Sequence, residues 1–131
     1  MIRRILIGAA LLPVAAVILN GQTTRSTNDG VYTAAQAARG KTTFEGRCAG
    51  CHETSRFAGK DFIEEWDGKA LKEIWDIASG TMPEDNPGSL KQQEYGDILA
   101  YFLSLNQYPT GEKELEPTGA AMAQIKIDKK S

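Results

Sequence analysis

Apolar side chains recur at helical spacing in two long stretches of the chain. The longer stripe consists of Tyr95, Ile98, Leu99, Phe102 and Leu105. The shorter stripe lies within residues 69–79 and consists of Leu71, Ile74, Trp75 and Ala78. The alternation of apolar and polar residues that marks a strand is nowhere as strong. The pattern therefore predicts an all-α domain with three to four main helices.

Helix starts are predicted at three polar residues: Thr33, Asp61 and Ser89. Thr33 and Ser89 each stand three residues before a glutamine, which is the capping-box spacing. The alanine-rich helix that follows Thr33 should run to about the first cysteine, because alanine has high helix propensity. The short helix from Asp61 should end near Trp66 or Gly68, and Gly80 should stop the helix of residues 69–79.

The first residues have the composition of a secretory signal peptide. Arg3 and Arg4 precede an uncharged, mostly apolar run over residues 5–19, which is short for a membrane-spanning helix. We expect residues 1–21 to be cleaved, and a retained N-terminal anchor is the alternative. Cleavage leaves 13 basic and 17 acidic side chains, a formal charge of -4. Residues 22–30 are small and polar, and we expect residues 22–32 to form a flexible lead-in.

The remaining length suits a single domain with an extension. With 131 residues in all, we expect the domain over residues 33–106 and a C-terminal extension over residues 107–131. The extension should wrap the domain, with Ile125 and Ile127 as anchors and residues 128–131 frayed. The whole chain has a formal charge of -2, so the basic excess of a nucleic-acid-binding protein is absent from the sequence.

The motif that carries chemistry is Cys48-Ala-Gly-Cys51-His52. Two cysteines three residues apart lie on roughly one helix face, so both sulfur atoms can reach the vinyl groups of one haem. The adjoining histidine is then placed beneath the iron as a ligand. This spacing is typical of covalent haem attachment.

Other interpretations of the two cysteines fit less well. A structural zinc site needs four ligands, and the sequence has no further Cys or His. A thioredoxin-like redox motif needs a βαβ context, which the pattern does not predict. A simple disulfide between Cys48 and Cys51 would leave His52 unexplained. We therefore predict one haem c, with its iron, bound through Cys48, Cys51 and His52.

The second axial ligand of the iron is predicted to be Met82. His52 is the sole histidine, Met1 lies in the signal peptide and Met122 lies in the extension. Pro83 disfavours helical geometry at Met82, so a short loop should present the thioether. The alternative is that Met82 fills a gap in the core, a common role of methionine. Ligation by a thioether would raise the reduction potential and close the iron to substrates.

From about Tyr32 to Asn106 the chain resembles the class I c-type cytochromes, with Cys-x-x-Cys-His near the start and Thr-Met-Pro toward the end. The resemblance implies the cytochrome c fold, with its helices around one covalently attached haem. It also implies a crossing of the first and last helices through four residues: Gly40, Phe44, Ile98 and Tyr101. Glycine at such a crossing lets two backbones approach each other closely.

Residues 81–115 are similar to small cytochromes and cytochrome domains linked to quinoprotein alcohol dehydrogenases. One departure from the wider family is Gly59-Lys60, where many members have Gly-Pro and the proline carbonyl accepts the N–H of the proximal histidine. We expect a carbonyl acceptor for His52 nonetheless. The resemblance makes Trp66 and Trp75 candidate donors to a haem propionate, with a core role as the alternative for each.

Two cations behind the motif, Arg56 and Lys60, either pair with propionates or face water, and the sequence leaves this open. The nearby acids (Glu64, Glu65, Asp67, Glu84 and Asp85) are expected to be solvated.

Together these features predict a periplasmic monohaem electron carrier, not an enzyme, with no stable membrane insertion after cleavage. Its partners would be redox proteins bound transiently: a quinoprotein dehydrogenase as donor, and an oxidase or another cytochrome as acceptor. Two alternatives are a haem enzyme or gas sensor with a labile Met82, and a non-catalytic subunit fixed in a larger dehydrogenase.

Overall fold

The computed structural model describes residues 24–130, and the predicted signal peptide lies outside them. The described part is all-α apart from one pair of two-residue strands. The five α-helices are α1 Ala34–Arg47, α2 Lys60–Trp66, α3 Leu71–Thr81, α4 Gln92–Leu105 and α5 Gly119–Ala123. The strands are β1 Arg25–Ser26 and β2 Ile125–Lys126, which pair in parallel. Short 3-10 helices cover Thr27–Asp29 and Thr54–Phe57. This confirms the predicted all-α class.

The crossing of α1 and α4 is the centre of the fold. A Cβ atom added at Gly40 would lie 1.8 Å from the carbonyl oxygen of Asp97, so the two backbones are in direct contact there. One turn further along α1, the Phe44 ring packs 5.7 Å from that of Tyr101 and 5.8 Å from that of Phe102, between ring centroids. The contact predicted for the first and last helices is present, and all of these side chains are buried.

The helix starts follow the predictions in part. The Thr33 hydroxyl accepts the Gln36 N–H at 3.1 Å, as expected. The other two predicted caps are wrong, because α2 starts after Gly59 and α4 starts after Lys91. At α4 the Glu94 carboxylate accepts the Lys91 N–H at 2.8 Å. A carboxylate three residues inside the helix thus caps α4 in place of the predicted serine hydroxyl.

The end of α3 also differs from the prediction. Gly80 lies inside the helix, which continues to Thr81, and Met82 is the first extended residue. The proline at position 83 explains the end point, since the residue before a proline is driven out of helical geometry.

The C-terminal extension packs onto the helices through apolar side chains. Leu115, Met122, Ile125 and Ile127 are each at most 4% exposed. Its helix α5 packs against α3, with Gly119 facing the indole nitrogen of Trp75. Both predicted anchors are therefore buried. The position of the boundary between domain and extension stays a prediction.

Both ends of the described chain are more ordered than predicted. The lead-in is expected to be flexible, yet β1 pairs with β2, and Val31 and Tyr32 are each 1% exposed. The end of the chain, expected to fray, is bonded through Lys129, whose N–H donates to Asp67 at 2.9 Å. The two segments were hard to predict because each is ordered by the other, through contacts about 100 residues apart in sequence.

A buried glutamine fixes the extension to α1. The Gln36 amide donates to the Leu115 carbonyl at 2.9 Å, and its oxygen accepts the Leu115 N–H at 2.7 Å. Beside it, Arg39 donates two hydrogen bonds to the buried carboxylate of Asp97, at 2.9 and 3.0 Å, and one to Glu114 at 2.9 Å. The glutamine predicted to complete a capping box therefore joins α1 to the extension instead.

Candidate functional site

The Cys-x-x-Cys-His segment forms one tight turn at the end of α1. The carbonyl of Cys48 accepts the N–H groups of both Cys51 and His52, at 3.1 and 2.9 Å. Cys48 itself caps α1, and its N–H bonds to the Phe44 carbonyl at 2.8 Å. The glycine crossing holds α1 on α4. The turn that directly follows α1 thus carries both thiols and the imidazole within five residues.

Two free thiols and a group of incompletely covered apolar side chains suit a covalently bound porphyrin. Both cysteines are free thiols, Cys48 half-buried and Cys51 exposed. Burial raises the pKa of the Cys48 thiol, and the neighbouring charge of Arg47 opposes this effect. Partly buried apolar side chains from several elements pack against the edge of the core: Cys48, Phe57, Ile63, Trp66, Ala78 and Leu105. Free thiols beside half-covered apolar surface are what covalent attachment of a large flat apolar group requires.

His52 is positioned by an aromatic contact. Its ring meets Phe57 edge to face, 5.6 Å between centroids, and Phe57 in turn stacks on Phe102 of α4 at 4.2 Å. Asn106, at the end of α4, donates to the Phe57 carbonyl at 2.8 Å and accepts the Gly59 N–H at 2.9 Å. The loop that follows the motif is therefore fixed to the last helix on both sides of Ala58.

The hydrogen bond expected from the His52 ring is not formed among residues 24–130. The Gly59 carbonyl accepts the N–H of Ile63 at 3.1 Å, the first bond of α2. Gly59 directly precedes α2, whose first residue is Lys60. The carbonyl acceptor expected for the His52 ring stays a prediction.

Met82 has the extended backbone that Pro83 predicts, with φ -118° and ψ 151°. Its side chain is half-buried. Its carbonyl accepts the hydroxyl of Tyr95 at 2.6 Å and the N–H of Gly88 at 3.2 Å. Met82 therefore lies outside the helix, as predicted, and the presentation of its thioether to an iron stays a prediction.

Both segments that carry predicted ligands are anchored on α4. The Tyr95 hydroxyl donates a hydrogen bond to the Met82 carbonyl. Phe102 stacks on Phe57, whose ring contacts His52. Residues seven apart lie on the same helix face, about 10 Å apart along the axis. The last helix therefore fixes the spacing between the two segments.

The weaker candidates separate into core and surface groups. Trp75 is 4% exposed and packs against Tyr95, in agreement with the core alternative. Trp66 is half-buried, with the Lys69 ammonium 4.7 Å from its ring centroid. Arg56 is exposed. The role of these side chains toward a propionate stays a prediction.

Two of the acids expected to be solvated, Glu64 and Asp67, have partners. Lys60 pairs with Glu64 at 2.6 Å, and the hydrogen bond from this lysine lowers the pKa of Glu64. Asp67 accepts the Lys129 N–H, as described above. Glu65, Glu84 and Asp85 are exposed, as expected.

Three residues that organise the site were not singled out by the sequence: Tyr95, Phe57 and Asn106. The sequence shows Tyr95 only as part of the apolar stripe, although its hydroxyl needs a partner when buried. Phe57 and Asn106 contact residues about 50 positions away, and local patterning carries no signal for such pairs.

Together with a family match, these features identify a c-type cytochrome, a haem-containing electron-transfer protein rather than an enzyme. A sequence model of the family described as cytochrome C oxidase, cbb3-type, subunit III matches residues 35–102, and the chain belongs to this family. The family has covalently bound haem c with iron, and Cys48 and Cys51 have the spacing of its attachment motif. No curated protein and no solved structure matches the chain. None of the helices within residues 24–130 combines the length and hydrophobicity needed to cross a bilayer.

Proposed function

We propose that the protein is a periplasmic one-electron carrier whose single haem is bound to Cys48 and Cys51, with His52 and Met82 as axial ligands of the iron. The observation that carries the proposal is the turn at residues 48–52, where one carbonyl organises the backbone of both thiols and the imidazole. The extended backbone of Met82 supports the second ligand. Haem c supplies one-electron redox chemistry when it is bound.

The contacts of the two proposed ligands limit their rearrangement. Phe57 covers one edge of the His52 ring, while two hydrogen bonds fix the Met82 carbonyl. A buried helix holds both segments, so their separation changes little. Small structural change between redox states favours fast electron transfer, which supports a carrier.

The proposed partners are redox proteins with basic surfaces. The mature charge of -4 would attract them, and association should weaken as salt increases. The family is named for a subunit of an oxidase, which supports an oxidase or another cytochrome as acceptor. The donor would be a dehydrogenase of the quinoprotein type, as the similarity of residues 81–115 suggests. Export with cleavage of residues 1–21 completes the proposal.

Mass spectrometry and absorption spectroscopy of the mature protein test this function. Expression in a host with cytochrome-maturation machinery should give a red protein whose mass equals residues 22–131 plus one haem. Replacing both cysteines with alanine should abolish the covalent mass increment. A colourless product with the mass of the bare polypeptide would refute the proposal.

The ligands and partners need separate measurements. The ferric protein should show the weak red absorption band of a methionine-ligated iron, and Met82→Ala should lose it. Met122→Leu is the matched control, since Met122 is 0% exposed and lies in the extension. Co-purification from the native periplasm would distinguish a transient carrier from a permanent subunit.

A further inference from the structure

We infer that Tyr95 is a positioning residue that keeps Met82 in place as a ligand, an inference that rests on the proposed His52 and Met82 ligation. Tyr95 is 1% exposed on α4. Its hydroxyl donates to the Met82 carbonyl at 2.6 Å. Tyr95 contacts the backbone of Met82 and not the iron, so it would influence the iron only through the position of Met82.

The same hydroxyl closes the loop at both ends. The N–H of Leu90 donates to it at 3.4 Å, so one oxygen atom links residue 82 to residue 90. The side chains between them have little other support, since residues 84–89 are all exposed. Within the loop, Gly88 adds one bond to the Met82 carbonyl at 3.2 Å. Tyr95 is therefore the buried side chain through which the rigid helix holds this loop.

The hydroxyl is also held in place. The Tyr95 ring packs against Trp75 of α3 at 6.3 Å between centroids, and α3 ends immediately before Met82. A buried ring between two packed helices cannot follow the loop outward. When the loop opens, the short hydrogen bond must break, and the opening equilibrium of Met82 depends on that bond.

Imidazole binding to the ferric holoprotein tests this role, because imidazole reaches the iron only after the thioether has left. Loss of one hydrogen bond should raise the apparent imidazole affinity of Tyr95→Phe by about 5-fold. The matched control is Tyr32→Phe, which removes another buried hydroxyl, bonded to the Tyr108 carbonyl at 2.7 Å. Both variants should lose similar thermal stability, and only Tyr95→Phe should bind imidazole more tightly.

Equal imidazole affinity of Tyr95→Phe and Tyr32→Phe would overturn the inference and leave the ligation proposal intact. A parent protein without the methionine–iron band would overturn both. Should Tyr95→Phe fail to mature, 3-fluorotyrosine at position 95 keeps the ring and the hydroxyl and donates a stronger hydrogen bond. It should then weaken imidazole binding relative to the parent, and unchanged or tighter binding would count against the inference.

Discussion

Replacing Gly40 with alanine tests the helix crossing on which the whole site is built. The added Cβ would lie 1.8 Å from the Asp97 carbonyl oxygen, 2.4 Å from its carbon and 2.9 Å from the Ile98 nitrogen. All three atoms belong to the backbone of α4, so a rotamer change cannot relieve the overlap. The two helices must move apart by more than 1 Å to reach ordinary contact distances of about 3.4 Å.

The expected cost combines two opposing effects. Overpacking a close contact costs about 1–3 kcal/mol, and a backbone obstacle favours the upper end of that range. Alanine regains about 1 kcal/mol of helix propensity over glycine. We therefore expect a net loss of about 1–2 kcal/mol, and a larger loss for Gly40→Leu. In a domain of this size, each kcal/mol corresponds to about 4–8 °C of melting temperature.

Thermal and denaturant unfolding of the haem-loaded protein provide the measurement. The matched control is Gly46→Ala on the same helix, since a Cβ at Gly46 has no neighbour within 4 Å. There the propensity gain acts alone, so this variant should melt at or above the temperature of the parent. A Gly40→Ala protein as stable as Gly46→Ala would refute the close approach of α1 to α4.

Three further predictions concern hydrogen bonds away from the crossing. Asn106→Ala removes the bonds to Phe57 and Gly59, and should lower the free energy of unfolding by about 1–2 kcal/mol because partly buried backbone groups lose their partners. Gln36→Met removes two bonds to the extension and should cost about 2 kcal/mol, with faster proteolysis of residues 107–130. The pKa of Asp128 is lowered, mainly by its hydrogen bond from a lysine, so its stabilising effect is present at neutral pH and disappears as the pH falls through that lowered pKa. Asp128→Asn should therefore be less stable than the parent at pH 7 and equally stable in strong acid.

Each of these three predictions has its own contrary result. An Asn106→Ala protein with the melting temperature of the parent would contradict the role given to this residue. For Gln36→Met, an unchanged cleavage rate in the extension would show that other contacts hold it. For Asp128→Asn, a difference from the parent that persists in strong acid would rule out the ionised carboxylate as its source.

Local sequence determined the helices and the attachment turn because their signals lie within a few residues of one another. The apolar stripe predicts α4, a hydroxyl predicts the start of α1, and five consecutive residues identify the haem motif. Pro83 acts on its immediate neighbour, so the extended backbone at Met82 was predictable as well. The cap predicted at Ser89 is wrong because the Glu94 carboxylate caps α4 two residues later, at Lys91.

Tertiary structure alone decided how the two ends of the chain and the two ligand-bearing segments are held. Tyr95, Phe57 and Asn106 gain their roles from partners brought together by the fold. The lead-in and the chain end order each other through β1, β2 and the bonds of Thr27, although neither segment signals this pairing in its own sequence. Such contacts depend on which backbone groups still need a hydrogen-bond partner after the helices have packed. Only the folded molecule determines that set of groups.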